Sequence, residues 1–452
     1  MHESASARWA NRRKPIVRPA RIAGTVALLT LLTGAGRALA NGALPASYGI
    51  LLPADKPQEI VLATNFGMII SEDAGKSWLW SCERPETSFG YLYAVGPAPR
   101  DRFYALSPDA GLGLSDDHSC TWQTAGGVLA NLVASDFFVD RANGDRVLAI
   151  AASIDADSGN IGPPSLFQSM DAGTTFSDTP LFTAPVGANI VSVEIARGDP
   201  MVIYMAMYTT PDRHPRLLRS ADGGQTWMDR DVEPSLGANE FRILTVDPDD
   251  ANVLYLRVIA LGMESVAVSR DAGVTFTMPI TVAKGTLSAF LRLASGTVLV
   301  GGLINLDTGG MNGTAFRSAD GGNTFGPWTL SPQPHILGMA ERDGVLYLAG
   351  KNYSDGWALA TSRDEGMTIQ PLSTYSDVHG IKPCAMSMCG DQCKLVSSQA
   401  VWTNDVCLWV PGGEAPPKSG CHCAAAAGSG GAAALLALLS VALATHRRRR
   451  RG

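Results

Sequence analysis

Several short stretches bring together residue types that could do chemistry. Asp155-Ala156-Asp157-Ser158-Gly159-Asn160 alternates oxygen ligands and includes a glycine, as a Ca²⁺ loop requires. It lacks the full spaced ligand set and a distal Glu, so a flexible polar loop is the plainer reading. Asp212-Arg213-His214 sets an acid, a fixed cation and a titratable base side by side between Pro211 and Pro215. The plainer reading there is an exposed turn. Asn305, Asp307 and Tyr353 fall in two further loop-like segments, Ile304 to Gly313 and Tyr353 to Gly356. His118, His335 and His379 each stand alone in sequence. No metal site is assigned. No cofactor is called for, and Ca²⁺ is the one ion that residues 155–160 would suit.

Something regular must position these segments, and it is a repeat. The octapeptide Ser71-Glu-Asp-Ala-Gly-Lys-Ser-Trp78 returns at Ser169 to Phe176, Ser220 to Trp227, Ser269 to Phe276 and Ser318 to Phe325. Ser362 to Ile369 is a weaker copy, and Ser115 to Trp122 is a degenerate one with Ser119 in the glycine position. Thr403-Asn404-Asp405 followed by Trp409 reads as an eighth copy, one residue short. Each Asp carboxylate can accept backbone N–H groups across a tight turn, and Gly supplies a positive φ. Asp73, Asp117, Asp171, Asp222, Asp271, Asp320 and Asp364 are therefore read as structural. Catalytic residues are not assigned.

Around each copy the pattern predicts four short strands, here a to d. Ile190–Ile195, Met201–Tyr208 and Arg216–Ser220 read as a, b and c of one unit, with d starting at Thr226. Phe241–Val246 and Val253–Ile259 read as a and b of the next. Units of ~40–50 residues with four strands are propeller blades. The reading is an all-β fold, a single β-propeller of four-stranded blades over residues 45–410. Eight blades is the first reading and seven the alternative. A propeller puts a–b and c–d turns on one end and b–c loops on the other. The long b–c loops then become the binding surface.

The pattern Ser-x-Asp-x-Gly-x-Thr-Trp/Phe resembles the Asp-box, or BNR repeat. Sialidases share that repeat and the propeller, and the resemblance implies an arginine triad, a Tyr–Glu pair and an Asp acid. Their first arginine precedes the first box in Phe/Tyr-Arg-Ile-Pro, yet this chain has no arginine between Ala38 and Ser71. Phe241-Arg242-Ile243-Leu244 imitates the motif in the wrong unit, and Arg242 and Arg292 are candidates to line the channel. Xyloglucan-degrading enzymes carry the repeat with paired carboxylates. Sortilin-like receptors and photosystem assembly factors carry it without catalysis. The resemblance thus implies a fold and leaves function to the site.

Six cysteines lie in the body. The strand reading places Cys384 and Cys393 on adjacent strands of a last blade, predicting a Cys384–Cys393 bridge. Cys389 and Cys407 fall at one end of that blade and are paired next. Cys82–Cys120 follows by exclusion, and a zinc site is the alternative.

The ends read as addresses. Residues 1–40 have a basic n-region, an apolar run from Ile22 to Thr33 and Ala38-Leu39-Ala40, the pattern of a cleaved signal peptide, with an N-terminal anchor as alternative. Residues 411–420 form a Pro/Gly-rich tether. Residues 421–452 hold Cys421-His422-Cys423, an uncharged Ala/Leu/Gly stretch from Ala424 to His446, and five arginines. The stretch is long enough to span a bilayer as a C-terminal hydrophobic helix. The order Cys, apolar run, arginine run resembles the MYXO-CTERM sorting signal of myxobacterial surface proteins. That resemblance implies cleavage near Cys421, lipid attachment there and display at the outer surface. Without the two ends the body keeps 24 basic against 41 acidic residues, a net charge of −17. Such a body repels phosphate backbones and excludes nucleic acid as a partner. The expected partners are an extracellular protein or glycan, and the membrane through the tail.

Overall fold

The computed structural model describes residues 45–82, 92–107, 110–155, 160–237 and 240–408. The stretches read as a signal peptide and a tether, together with Cys421 and the apolar tail, lie outside the described residues. Among those described, no helix is long and apolar enough to cross a membrane.

Seven four-stranded antiparallel sheets follow one another along the chain. Blades 1 to 3 start on inner strands Ser47–Leu51, Leu92–Val95 and Val133–Val139. Blades 4 to 7 start on Ala188–Ile195, Glu240–Val246, Gly285–Arg292 and Gly338–Arg342. Each sheet then steps outward in sequence order, so strand a lies innermost. Strand b is almost wholly buried, as in Ile60–Thr64 and Val147–Ala152, because both of its faces pack against neighbouring blades. The ring closes where inner strand Gly338–Arg342 packs on Ser47–Leu51. The approach is so tight that a Cβ on Gly338 would lie 2.5 Å from the Tyr48 carbonyl oxygen.

The propeller therefore has seven blades, one for each complete octapeptide, and the eighth unit of the sequence reading is not a blade. Residues after blade 7 form a strap on blade 1. Val378–Ile381 adds in parallel to the outer strand Trp78–Ser81. Met386–Ser398 is a helix, and Asn404–Cys407 is a single 3₁₀ turn. The supposed eighth octapeptide copy is that turn. Helix spacing explains the misreading: Cys389, Cys393 and Val396 recur at i, i+4 and i+7 and are all buried. They pack with Trp402 and Val406 against Trp78 and Trp80.

The disulfides differ accordingly from all three expected pairs. They are Cys82–Cys389, Cys120–Cys384 and Cys393–Cys407. Cys384 and Cys393 do not pair, because Cys384 lies in the 3₁₀ turn Pro383–Ala385 before the helix and Cys393 within it, and each meets a different partner. Cys389 faces the end of blade 1 instead of Cys407. Cys82 and Cys120 do not pair with each other; each is tied to the strap. All six cysteines are oxidised, which removes the zinc alternative.

A repeated device seals the seams between blades. A donor from one blade bonds a carbonyl in the octapeptide of the next. Arg102 Nη1 donates to Ala172 O (2.8 Å), Arg146 Nη2 to Gly223 O (3.2 Å) and Arg230 Nη1 to Ala272 O (3.1 Å). Tyr255 Oη donates to Gly321 O (2.8 Å) and Trp328 Nε1 to Gly366 O (2.9 Å). At the seam between blades 1 and 2, Ser81 Oγ donates to Ser119 O at 3.0 Å, and the strap adds a second donor: buried Lys382 Nζ reaches His118 O at 2.9 Å.

Candidate functional site

All seven octapeptides adopt the same turn, and its hydrogen bonds consume the aspartates. In the third copy, Ser169 Oγ donates to Asp171 Oδ1 (2.7 Å), as does Thr175 N–H (2.8 Å), while Thr175 Oγ1 donates to Oδ2 (2.7 Å). Gly173 N–H closes the turn on Ser169 Oγ at 2.8 Å. The degenerate copy keeps every one of these contacts around Asp117, with Ser119 held at φ 73° where the others use glycine. The Thr226 hydroxyl, with the Thr226 N–H and Ser220, holds Asp222 at a pKa of about 2. The Ser362 hydroxyl does the same for Asp364. Such anions have no spare capacity for acid–base work.

The inner strands carry a second set of carboxylates. Strand a is the inner edge of each sheet, so alternate N–H groups face the channel without a ladder partner, and a bulge interrupts it in blades 1, 3, 4, 5 and 6. Side chains of the preceding blade bond several of them. Asp136 Oδ2 accepts from Val193 N–H at 3.1 Å. Ser192 Oγ accepts from Ile243 N–H at 3.0 Å, and Glu194 Oε1 from Val246 N–H and the Thr245 hydroxyl, both at 2.9 Å. Burial pushes both Asp136 and Glu194 up to about 7, against the pull of those hydrogen bonds. The sequence reading missed them because no motif marks them.

The channel opens into a cavity of ≈ 740 Å³ on the end that carries the a–b turns. Arg292 lines it, as expected, but it is clamped by Asp247 (3.0 Å) and Asp249 (2.7 Å). Arg242, on strand a of blade 5, donates to Val191 O at 3.0 Å. Among the described residues no arginine triad forms around these two.

The remaining candidates lie at the other end. Asp155 begins a loop of blade 3, where its N–H bonds Asn160 O at 2.9 Å; Asp157 is outside the described residues. In blade 4, Asp212 is exposed, while Arg213 pairs with Glu240 at 3.1 Å and lies over the Tyr208 ring. His214 opens strand c between two acids that sequence distance concealed. Its Nε2 is 3.1 Å from Asp231, at the end of strand d, and its Nδ1 pairs with Glu233 in the next connection. One nitrogen and two carboxylate oxygens within 4.8 Å are ligand types that Zn²⁺ accepts. In blade 6, Asn305 ends strand b and Asp307 pairs with Lys284 at 2.7 Å. In blade 7, Tyr353 is 57% exposed and meets Tyr375 edge-on. These residues share one end of the ring but occupy separate blades. Two of the solitary histidines also have acidic partners: His118 pairs with Glu59 at 2.8 Å and His335 with Asp355 at 2.7 Å.

That end also carries large apolar side chains in solvent. Leu261, at a b–c loop tip, is 102% exposed, and Val186, in a blade connection, is 93% exposed. Ile154, Ile161, Leu306, Met311 and Tyr353 add to them from the loops of blades 3, 6 and 7.

No family model and no curated protein matches this chain. Solved structures do resemble it in fold. A GH74 enzyme from Niastella koreensis aligns at 12% identity over 72% of this chain and 65% of its own, with a TM-score of 0.40. An ancestral GH74 enzyme aligns at 12% over 73% of this chain and 54% of its own, at 0.42. This chain thus spans less than two thirds of either enzyme. YCF48 from Cyanidioschyzon merolae aligns at 12% over 67% of this chain and 92% of its own, at 0.42. At such identity the likeness concerns the fold alone.

Proposed function

We propose that this chain is a non-enzymatic recognition module, exported and held at the cell surface, whose b–c loop end binds an extracellular protein or glycan. The observation that carries this reading is the near-complete exposure of Leu261 and Val186 on that end, with five further apolar side chains in its loops, whereas the octapeptide end exposes Met170, Met201, Val274 and Met367 by 47–65%. Soluble surfaces scatter single apolar side chains, whereas several at loop tips on one end mark an interaction surface. Leu261 and Val186 have no packing role that would explain their type. Arg213, the His214 cluster and the Lys284–Asp307 pair provide a polar rim around them, the pattern of a protein or glycan interface. The exported, anchored context rests on the N-terminal segment and on the tripartite tail ending in Arg447 to Arg451.

Glycoside hydrolysis is the rival reading, and it needs two carboxylates ~5–10 Å apart with freedom to act. On the loop end, Asp231 and Glu233 both clasp His214 instead. The test joins a glycan array and an extracellular-protein panel to a set of fluorogenic glycosides. Binding without turnover is expected, weakened about tenfold or more by Leu261→Asp and by Asp212→Ala/His214→Ala. Turnover with any glycoside, or binding that survives both variants, would overturn the proposal.

A further inference from the structure

We infer that the channel mouth, on the end opposite the b–c loops, is a second binding site, which takes an anionic group, carboxylate or phosphate, between Arg141 and Arg197. The cavity there measures ≈ 740 Å³, and six of the seven blades line it. This is the size range of small-ligand sites. Arg141 and Arg197 stand on adjacent turns, the first between strands a and b of blade 3 and the second at the same place in blade 4. They act on each other as like charges.

What sets them apart is that two guanidinium groups line one cavity with no ion pair to either among the described residues. Arg219, Arg230, Arg270 and Arg342 also form no ion pair there but donate to neutral oxygens, and others are matched by acids. Arg292 is held by Asp247 and Asp249, Arg257 by Glu264 at 2.6 Å, and Arg102 by Asp116 at 2.6 Å. Arg141 gives one N–H to the Val95 carbonyl at 2.7 Å and forms no ion pair among the described residues. Arg197 has neither hydrogen bond nor ion pair among them. Glu194 is the carboxylate that acts on Arg141, but its Oε1 already serves Val246 and Thr245. Across the cavity, Glu341 accepts from Ala294 N–H at 2.8 Å, and Asp343 occupies a turn of blade 7. The mouth thus holds two guanidinium forks without an ion pair among the described residues on the side of blades 3 and 4, with Glu194 beside them and further acids on the side of blade 7. A guanidinium offers five donors in a fixed fork that fits the oxygens of a carboxylate or phosphate. Two unmatched forks in one cavity repel each other, and an anion between them removes that cost while gaining charge-assisted hydrogen bonds.

The test is calorimetric titration of the full chain, at low salt, with succinate, inorganic phosphate and succinamide. Succinate, phosphate or both should bind with Kd of ~0.1–1 mM, and neutral succinamide should not. Whichever anion binds names the chemical class. Arg197→Glu should weaken binding by about tenfold or more while leaving Tm unchanged, because its side chain holds nothing in the fold. Arg141→Lys keeps the charge but loses the fork, and a smaller weakening is expected. The inference is overturned if neither anion binds below ~10 mM, if succinamide binds equally, or if Arg197→Glu binds like the parent.

Discussion

The octapeptide aspartates and the channel carboxylates are the same functional group used in opposite ways. At the turns, each carboxylate is an anion near solvent with three or more short donors, and its pKa falls, to about 2 for Asp222 and Asp364. In the channel, Asp136 and Glu194 are half-buried with fewer donors, and desolvation lifts both to about 7. Hydrogen bonds to the charged form win in the first set and desolvation wins in the second. Both sets satisfy backbone N–H groups that the strands leave over, one at a turn and one at a bulged inner edge. What differs is the electrostatic cost of doing so.

Titration of stability should separate the two sets, with the largest effect. A carboxyl whose folded pKa is raised is stabilising below its unfolded pKa, and that contribution is lost as pH rises through the folded value. Asp136 and Glu194 should therefore lower stability progressively between pH ~4 and about 7, by a few kcal/mol at most for the two together. The octapeptide aspartates run the other way, with stability present above pH ~4 and lost as pH falls toward about 2. Thermal unfolding should thus show a maximum near pH 4–5 and a decline to pH 8. A curve flat from pH 4 to 8 would remove the distinction.

Substituting one turn comes next in size. Asp171→Ala deletes acceptors for the Ser169 and Thr175 hydroxyls and the Thr175 N–H. The carboxylate is largely solvated, so water recovers part of the loss, and about 1–2 kcal/mol is expected by chemical denaturation. Asp171→Asn should cost less, since one amide oxygen still accepts. A loss below the measurement error would show that the turn holds through Gly173 and Ser169 alone.

How much of this the sequence disclosed follows from the same contrast. The turn motif is local, with all its contacts within four residues, so seven copies could be read directly, together with blade strands such as Ala188–Ile195 and Ile203–Thr209. The b–c loops followed from that spacing. Contacts that join distant segments left no such trace. Cys82 meets Cys389 across 307 residues, and Cys120 meets Cys384 across 264. His214 meets Asp231 and Glu233 from another strand and a connection, and Asp136 is recognisable only once Val193 of the next blade is beside it. The strap was misread as a blade because a regular spacing of 41–54 residues suggested one more unit, although the cysteine spacing within it is helical.

The smallest effect is the sharpest probe of the channel set. Asp136→Asn keeps an oxygen for the Val193 N–H and removes the charge that burial disfavours. Near pH 3 the side chain is protonated in both the folded and the unfolded chain, so the substitution should change stability by less than about 0.5 kcal/mol. At pH 8 the folded parent must keep a half-buried anion, and the variant should then be the more stable of the two, by about 1 kcal/mol or more. An advantage that grows from near zero as pH rises cannot come from lost packing, which is the same at both pH values. If Asp136→Asn is destabilising at both, Arg242 or solvent in the channel compensates the anion, and the inner strands hold their carboxylates much as the turns do.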